Sequence, residues 1–392
     1  MYEELMTERL YYKDSELHFF EAAVLSCEKN KDVFSVVLDK TAFFPEGGGQ
    51  SSDTGKIGDA SVFDVQEENG KIIHYCKEPL NVGESYRCAV DWKRRFTLMQ
   101  NHSGEHIVSG IVHSLFGLDN VGFHMGETDV TVDFNGELSK EQLNEVEKRA
   151  NKAVWENILF ETFFPTENEL RSLDYRSKLD LKDNVRLVKI GDIDLCACCA
   201  PHVKRSGEIG IIKLLDFTRH RGGVRVTMRS GEWALSDYSE KYEAVHGISN
   251  LLSVKQCEVL SAVNRLSESF GAAKRELYDF KMQLVKADFE ENIGKNNPIV
   301  FISAVYDGDM LKEFADCCVN GGAFLCAAFS GSDKSGYSYA VLSRTVDMKA
   351  FAIEMNTALN GRGGGRDGMI QGRVSAKKEE IIEFFNKKFR RD

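Results

Sequence analysis

The chain has 392 residues, 42% of them hydrophobic and 28% charged, and a formal net charge of −11. These values are typical of a globular protein with two or three domains, and no apolar run is long enough to span a membrane. The acidic balance argues against nonspecific nucleic-acid binding over the whole surface. The charged N-terminal segment lacks the apolar core of a secretion signal, so we expect a cytoplasmic protein.

The first half of the chain predicts strands followed by helices. Short β-rich runs, VFSVVLD, KIIHYC and SYRCAVDW, fall within residues 1–90 and are divided by turn residues. Asp91 is a plausible N-cap for a helix to Phe116, and a second helix is expected at about 139–157. Further strands are predicted at VRLVKI, GIIKLLDF and GVRVTM.

Apolar residues then recur at alternating spacings of four and three, as in a coiled-coil seam. The positions are Val259, Val263, Leu266, Phe270, Ala273, Leu277, Phe280, Leu284 and Ala287. This pattern predicts a long helix that pairs with another helix, either in the same chain or in a second copy. The alternative is a single amphipathic helix lying on a globular core.

The C-terminal residues predict a small α/β domain. PIVFISAVY and YSYAVLSR indicate strands, MLKEFADCC and DMKAFAIEMNTALN indicate helices, and a glycine-rich tract occupies residues 361–374 before a basic C-terminal helix. We therefore expect an α+β protein with a β-barrel-like subdomain at 1–90, a metal-binding α+β domain at 91–235, a helical linker at 236–294 and a small domain at 295–392.

Two pairs of residues suggest a metal site. His102 and His106 are four apart on a predicted helix and so project from one face. Cys198 and His202 repeat this spacing in a turn-like segment. Together they form a normal tetrahedral zinc set, although each pair alone is only a moderate signal. The rival ligands are Cys196, Cys199 and His113.

A glycine-rich loop precedes both pairs. Gly47, Gly48 and Gly49 are followed by Gln50, and consecutive glycines permit backbone conformations and close approaches that other residues do not. A flexible hairpin loop is the simpler interpretation. No Lys-Ser/Thr pair follows, so the loop is not a phosphate-binding P-loop.

Three stretches together resemble the editing domain of alanyl-tRNA synthetase and its free-standing relatives, the AlaX proteins. These are TAFFPEGGGQSSDTG, HSGEHIVSG and IGDIDLCACCAPHVKRSGEIGIIK, which match in order and separation within about residues 20–230. Residues 295–392, with the tract GRGGGRDGMIQGR, resemble less specifically the DHHA1 domain of alanyl-tRNA synthetase and long AlaX proteins.

This resemblance implies a zinc-dependent hydrolase that removes a wrong amino acid from tRNA(Ala), chiefly serine and also glycine. It implies zinc ligands at His102, His106, Cys198 and His202. It also places Thr41 and Gln50 in the catalytic pocket, bordered by Gly47, Gly48 and Gly49. We expect the Thr41 hydroxyl to act as a donor that reads the serine side chain.

The sequence departs from the family pattern between two of the ligands. Cys199-Ala200-Pro201 stands where the family has Gly-Gly-Thr, which leaves the preferred amino acid open. A proline directly before the ligand histidine resembles the pattern in the editing domain of threonyl-tRNA synthetase. The GGGQ segment, in contrast, favours the editing domain of alanyl-tRNA synthetase. Glu105 follows the wrong spacing for a protease-like base, so we expect it to be solvated or to lie behind the ligands.

The expected partner is mischarged tRNA(Ala), with no membrane association. The basic surface is predicted at Arg219, Arg221, Arg225, Arg229 and in the C-terminal domain. A homodimer is expected through residues 259–287 and the C-terminal domain. No class II aminoacylation region precedes the editing-like motifs and no Asp-His-His triplet occurs, so neither tRNA charging nor DHH phosphoesterase activity is expected.

Two other functions remain open at this point. The protein could hydrolyse another aminoacyl-tRNA or a small aminoacyl ester. Alternatively, the four ligands could form a closed zinc site that only stabilises an RNA-binding module.

Overall fold

The computed structural model describes residues 7–177, 185–294, 297–366 and 368–389, so the last three residues of the predicted basic tail lie outside it. None of the helices in these ranges has the length and apolar content needed to cross a bilayer. The chain divides into two units, Met1–Gly247 and Ile248–Asp392. The predicted α+β class is confirmed, while the finer division into four domains stays a prediction.

The first unit begins with a six-stranded closed barrel in the order β2-β3-β7-β6-β5-β8. The short strands β1 (Glu8–Arg9) and β4 (Lys40–Thr41) pair beside it in parallel. The barrel strands are β2 (Phe19–Asn30), β3 (Val33–Leu38), β5 (Gly55–Ile57), β6 (Ala60–Glu68), β7 (Lys71–Cys76) and β8 (Ser85–Val90). Buried and exposed positions alternate along most of these strands, as expected where one face lines a core.

The remainder of the first unit surrounds one buried helix, α1 (Trp92–Phe116). The Asp91 side chain caps it and it extends to Phe116, as the sequence predicted, and Gly117 after it adopts the left-handed conformation. One sheet has the order β14-β15-β10-β9 and another the order β11-β12-β13. The elements are β9 (Asn120–Met125), β10 (Val130–Phe134), α2 (Lys140–Trp155), β11 (Phe160–Phe163), α3 (Glu167–Leu170), β12 (Leu187–Ile190), β13 (Asp194–Ala197), β14 (Ile212–His220), β15 (Gly223–Ser230) and α4 (Gly231–Leu252).

A buried ion pair ties α1 to the glycine-rich tract. Arg95 and Asp53 are both fully buried and in direct contact, and Asp53 also accepts a hydrogen bond of 2.6 Å from the Phe44 backbone N–H. Arg95 donates further to the carbonyl oxygen of Ser15 at 3.0 Å. A buried pair with this many additional hydrogen bonds fixes geometry more than it adds stability. The tract before α1 is thereby held against the helix that carries His102 and His106.

The second unit contains one five-stranded sheet in the order β16-β17-β18-β20-β19, with only β16 and β17 parallel. The helices α7 and α8 contribute to the core on one face, and α6 with the C-terminal half of α5 to the core on the other. The elements are α5 (Val259–Asn292), β16 (Ile299–Ser303), α6 (Gly308–Asn320), β17 (Leu325–Ser332), β18 (Gly336–Ser343), α7 (Met348–Ala358), β19 (Gly361–Arg366), β20 (Met369–Val374) and α8 (Lys378–Phe389).

The predicted heptad seam forms a single helix, α5, whose apolar positions are largely exposed. Leu266 is 58% exposed, Phe270 is 72% exposed and Phe280 is 59% exposed, whereas Val259 is buried. The helix α4 carries a similar exposed series at Leu235, Tyr238 and Tyr242. The prediction of a long helix is confirmed, and most of its seam lacks cover from the described residues of its own unit.

Candidate metal centre

Four side chains converge where α1 meets the turn after β13. The metal-binding atoms of His102, His106, Cys198 and His202 all lie within 4.8 Å of one another. Cys198 Sγ is 3.6 Å from His102 Nε2 and 3.3 Å from His202 Nε2. Two donors bound to one tetrahedral zinc would be about 3.5 Å apart, given the usual Zn–N and Zn–S lengths. The residues therefore fit a metal ion of this kind.

Each histidine is oriented by a hydrogen bond from its outer nitrogen. His102 Nδ1 is 2.8 Å from Gln50 Oε1, His106 Nδ1 is 3.1 Å from Asp194 Oδ2, and His202 Nδ1 is 3.0 Å from Ser103 Oγ. Because amide and carboxylate oxygens accept, the protons of His102 and His106 sit on Nδ1, which leaves Nε2 with a lone pair towards the centre. Metal-binding histidines usually have such partners.

Asp194 is itself held from a second side. Arg176 donates to both of its carboxylate oxygens, at 2.7 Å from Nε and 2.8 Å from Nη2. Burial raises the pKa of Asp194, but the hydrogen bonds from His106 and Arg176 outweigh burial and lower it below its usual range. The carboxylate is therefore charged and keeps the His106 ring in one orientation.

The titration of the thiols distinguishes Cys198 from its neighbours. Burial raises the pKa of Cys196 and of Cys199, to about 11 in each case. Burial also acts on Cys198, but in the absence of metal a protonated imidazole beside it lowers the pKa of this thiol well below the ordinary value. A thiolate is the form that binds metal. Cys198 is thus better suited to bind a metal than Cys196 or Cys199, whose raised pKa values favour the protonated thiol.

The rival imidazole is also excluded. His113 lies near the C-terminus of α1 with its side chain 49% exposed, and its Nδ1 is 2.9 Å from Asp119 Oδ1. It does not belong to the convergent set. The fold therefore brings the four predicted ligands together, while the rival thiol Cys196 lies in a second group with His106 and Asp194.

Close approach of α1 to the second ligand segment depends on a small residue. A Cβ atom at Gly110 would lie 2.5 Å from the carbonyl oxygen of Ile193 and 2.8 Å from Cβ of Asp194. Any larger side chain would push this part of α1 away from β13, where Asp194 supports His106. The glycine is thus required for packing and not for backbone conformation.

The glycine-rich loop packs against β9 next to the ligands. Gly48 and Gly49 have positive φ angles of 60° and 84°. A Cβ at Gly49 would lie 2.5 Å from the Phe123 ring and 2.9 Å from the Phe123 carbonyl oxygen. The loop is therefore ordered and close-packed, in contrast to the simpler interpretation as a flexible hairpin. Gln50 is fully buried, and its Nε2 has no hydrogen-bond partner.

A cavity of about 480 Å³ opens beside the metal ligands. Its walls include the three ligand residues His102, His106 and Cys198, together with the loop glycines Gly48 and Gly49. The other lining residues are Tyr12, Glu105, Asn120, Phe123, Arg176, Ser177, Val185, Arg186, Cys196, Ala197 and Cys199. A second cavity of about 790 Å³ shares Asn120, Arg176, Ser177 and Cys196 with the first. A substrate end can thus approach the metal set from a preformed space.

The structure corrects the expectation that Thr41 acts as a hydrogen-bond donor. Thr41 is fully buried, and its Oγ1 lies 2.8 Å from His74 Nε2. His74 Nδ1 must donate to the Val36 carbonyl, 3.1 Å away, so Nε2 of the neutral ring accepts the Thr41 proton. The Thr41 oxygen also accepts from the Phe43 N–H at 3.1 Å. One lone pair remains, so Thr41 could contact a serine hydroxyl only as an acceptor, and it is not among the residues that line the two cavities.

One of the two alternatives predicted a solvated Glu105, and this is wrong. It is 3% exposed, its carboxylate accepts from Ser109 and Asn120, and it lines the cavity. Asp194, Arg176 and Ser103 were not identified from the sequence as supporting residues. Ser103 and Asp194 lie within the motif stretches, but neither spacing nor residue type alone could have assigned their roles.

The predicted basic segment is largely neutralised. Arg219 Nε is 3.3 Å from Glu137, Arg225 Nε is 2.6 Å from Asp133 and Arg229 Nη1 is 3.0 Å from Asp237. Arg221 occupies the exposed turn between β14 and β15 with a φ of 45°. The segment is therefore a weaker anion-binding surface than its four arginines suggest, because carboxylates take up three of them.

Two family models match parts of the chain. Residues 4–94 match the model described as tRNA synthetases class II (A). Residues 185–229 match the model described as Threonyl and Alanyl tRNA synthetase second additional domain. The second match includes Cys198 and His202, and the first includes the glycine-rich loop.

Whole-chain relatives are consistent with these matches. The chain is 32% identical to the alanyl-tRNA editing protein AlaX-L of Pyrococcus horikoshii, over 98% of this chain and 99% of that protein. It is 32% identical to the alanine–tRNA ligase of Natronomonas pharaonis over 88% of this chain and 39% of the ligase. For the ligase of Methanobrevibacter smithii the identity is 28%, over 97% and 45%. The chain spans less than half of these ligases.

Proposed function

The chain belongs to the family of AlaX-L alanyl-tRNA editing proteins, and from this we propose that it deacylates mischarged tRNA(Ala) in trans at a zinc ion. The observation that carries the proposal is the four-residue donor set at one wall of a preformed cavity, in a chain that aligns with an editing protein over 98% of its length. The ligands would be His102, His106, Cys198 and His202, with Ser-tRNA(Ala) as the chief substrate and Gly-tRNA(Ala) as another.

The reaction is hydrolysis of an ester. A water oxygen adds to the carbonyl carbon, the bond from that carbon to the ribose oxygen breaks, and the products are a free amino acid and a tRNA with a free terminal hydroxyl. Bound zinc supplies Lewis acidity, which lowers the pKa of a water or polarises a carbonyl. Gln50, Asp194 and Ser103 hold the three imidazoles with Nε2 facing inwards.

The need for such an enzyme follows from the limits of binding selectivity. A pocket made for alanine cannot strongly reject a slightly different side chain, because such differences are worth only about 1–3 kcal/mol. Hydrolysis at a second site removes the error. Thr41 is proposed to accept a hydrogen bond from the serine hydroxyl. Cys199, in the cavity wall, stands where the family pattern has a glycine, and we propose that substrate choice differs from that of relatives at this wall.

We further propose that residues 295–392 form a DHHA1-like domain that contacts the tRNA. The edge strand β19 carries Arg362 and Arg366, and its partner β20 carries Arg373 directly opposite Arg362. Gly363 faces Tyr339 on the opposite side of the sheet, so Arg362 and Arg366 share one face. The strand is almost wholly exposed. Guanidinium groups on an exposed edge suit an RNA backbone.

A homodimer through α5 is the remaining part of the proposal. Leu266, Phe270 and Leu277 are more than half exposed in the single chain and lie on the predicted heptad seam. Exposed apolar residues in a continuous stripe indicate an interaction surface. A second copy of the same helix would cover them with the same pattern.

The deciding experiment measures deacylation of Ser-tRNA(Ala), Gly-tRNA(Ala) and Ala-tRNA(Ala) with and without a chelator. The proposal expects hydrolysis of the mischarged species, loss of activity on chelation and recovery on adding zinc. His106→Ala should abolish activity, whereas the matched change His113→Ala, seven residues further along α1, should not. Metal-free protein that retains full activity would remove zinc from the mechanism. A folded, metal-loaded protein that hydrolyses none of the three would favour a structural zinc module.

A further inference from the structure

Arg186 is a buried cation in the wall of the cavity beside the metal ligands. It lies just before β12 and is only 6% exposed. Its guanidinium is 5.3 Å from the centre of the Tyr12 ring. Within the described part of the chain, no carboxylate forms an ion pair with it, and its Nε is buried without a hydrogen-bond partner.

Part of the guanidinium is occupied by the ligand turn. Nη1 donates to the carbonyl oxygens of Cys198 and Ala200, both at 2.9 Å. These bonds satisfy one nitrogen of the three, and the carbonyl oxygens carry no net charge that would neutralise the guanidinium. Burying an unpaired charge costs several kcal/mol, so such groups are usually paired with an anion.

The other buried arginines near the site are paired. Arg176 is held by Asp194, and Arg95 by Asp53. Bound metal would not supply the missing anion for Arg186, because one thiolate and three neutral imidazoles around a dication leave a net positive charge. Arg186 is therefore a cavity-lining cation with no carboxylate partner among the described residues, and a ligand in the cavity can supply its compensating anion.

We propose that Arg186 binds the phosphodiester that immediately precedes the terminal nucleoside of the RNA substrate. The inference rests on the proposed function. An aminoacyl ester carries a cationic α-ammonium group and an uncharged carbonyl, so neither supplies the anion. The nearest anion in such a substrate is the phosphate one ribose away from the ester. A guanidinium offers the planar, charge-assisted donors that phosphate oxygens accept best.

The test compares two seryl esters, one of adenosine and one of the dinucleotide cytidylyl-adenosine, which adds only the phosphodiester and one nucleoside. For Arg186→Met we expect kcat/KM to fall about 10- to 100-fold on the dinucleotide ester, as expected for a lost hydrogen bond to a charged group. On the adenosine ester, which lacks the phosphodiester, the loss should be smaller and should reflect only the two lost bonds to the ligand turn. Arg205→Met, a matched change at an exposed arginine, should leave both rates unchanged.

The salt dependence of kcat/KM separates a phosphate contact from a purely structural role, because only the contact changes it. The slope of log kcat/KM against log salt for the dinucleotide ester should become shallower by about 0.7 in Arg186→Met, the value for one phosphate contact on a single strand. If the variant loses its metal, the comparison is made with Arg186→Lys. A lysine can still donate to one of the two carbonyls, and it should keep the salt slope.

Other results would overturn the proposal. Equal losses on both esters, with metal content unchanged, would mean that Arg186 acts at the ester or only braces the ligand turn. Should the parent protein hydrolyse neither ester, deacylation of Ser-tRNA(Ala) decides on the proposed function, and binding of the non-aminoacylated trinucleotide CCA decides on Arg186. Equal CCA affinity of the parent and Arg186→Met would rule out a phosphate contact; weaker binding by the variant would uphold it.

Discussion

The side-chain oxygen of Gln50 lies 2.8 Å from Nδ1 of His102, so the glycine-rich loop directly orients a candidate metal ligand on α1. The two residues are 52 positions apart and both are buried. Their contact explains why the GGGQ segment and the HSGEH segment belong to one site. The loop sets the tautomer of His102, and the helix fixes the position of the loop.

Replacing Gln50 with leucine should weaken metal binding. The Nδ1–H of His102 would lose its acceptor, and loss of such a partner typically lowers metal affinity about 10- to 100-fold. Zinc affinity measured by competition with a chromophoric chelator checks this. Gln66→Leu is the control, since the Gln66 amide donates to Asp64 and Glu46, away from the ligands. Equal affinities of the two variants would contradict a supporting role for Gln50.

The buried pair Thr41 and His74 should make stability depend on pH. Burial lowers the pKa of His74 to about 4, below the ordinary value of 6.5, while its hydrogen bond to Val36 acts in the opposite direction. Protons therefore bind the unfolded chain first as pH falls, and stability is lost between about pH 6.5 and 4. At about 1.4 kcal/mol per pH unit, the contribution of His74 is about 3 kcal/mol.

His74→Gln should flatten this pH dependence, because glutamine can bond to Val36 and Thr41 without titrating. Urea unfolding of the parent and the variant at several pH values between 4 and 8 measures the difference. The gap in unfolding free energy should shrink steadily as the pH drops below 6.5. A gap that stays constant over this range would show that His74 does not titrate differently in the folded and unfolded states.

Disrupting the exposed stripe of α5 should separate the proposed dimer. Phe270→Glu places a charge on the seam at a side chain that is 72% exposed in the single chain. Sedimentation or light scattering should then report the mass of one chain instead of two. Ala272→Glu, on the opposite side of the helix, should leave the dimer intact. A parent protein that is already monomeric at micromolar concentration would refute this interface.

The arginines of β19 should contribute to tRNA affinity through phosphates. Changing both Arg362 and Arg366 to alanine should weaken binding and lower the salt slope by about one for each phosphate that is no longer bound. Arg344→Ala, which removes an exposed arginine bonded to Asn320, serves as the control. Arg219→Ala should have a smaller effect, because Glu137 already neutralises that side chain. An unchanged slope in the double variant would exclude β19 from the tRNA-binding surface.

Much of the fold could be read from local patterns, but some strands could not. The limits of α1 and α2 follow from caps at Asp91 and Ser139 and from helical periodicity. The tract 361–374 was predicted only as glycine-rich, yet β19 and β20 form a hairpin in it. Glycine disfavours strands on its own, and here pairing within the sheet overrides that preference.

The sequence predicted the candidate ligands of the site but not the residues that support them. Residue type and spacing sufficed to predict that the four candidate ligands converge, since metal chemistry restricts both. The supporting residues Asp194, Arg176 and Arg186 depend on contacts between distant segments, which spacing does not record. Thr41 was correctly noted as part of a motif, but the direction of its hydrogen bond depends on His74, a residue with no signal in the sequence.

The two halves of the ligand set lie 96 positions apart, on α1 and after β13. During synthesis the growing chain therefore presents only the two-histidine half until residue 202 has emerged and the β11–β13 sheet has formed. A pair of imidazoles holds a metal ion far less tightly than the complete set. Zinc capture at the proposed site would consequently wait until most of the first unit has been made, and so would completion of the proposed deacylation centre.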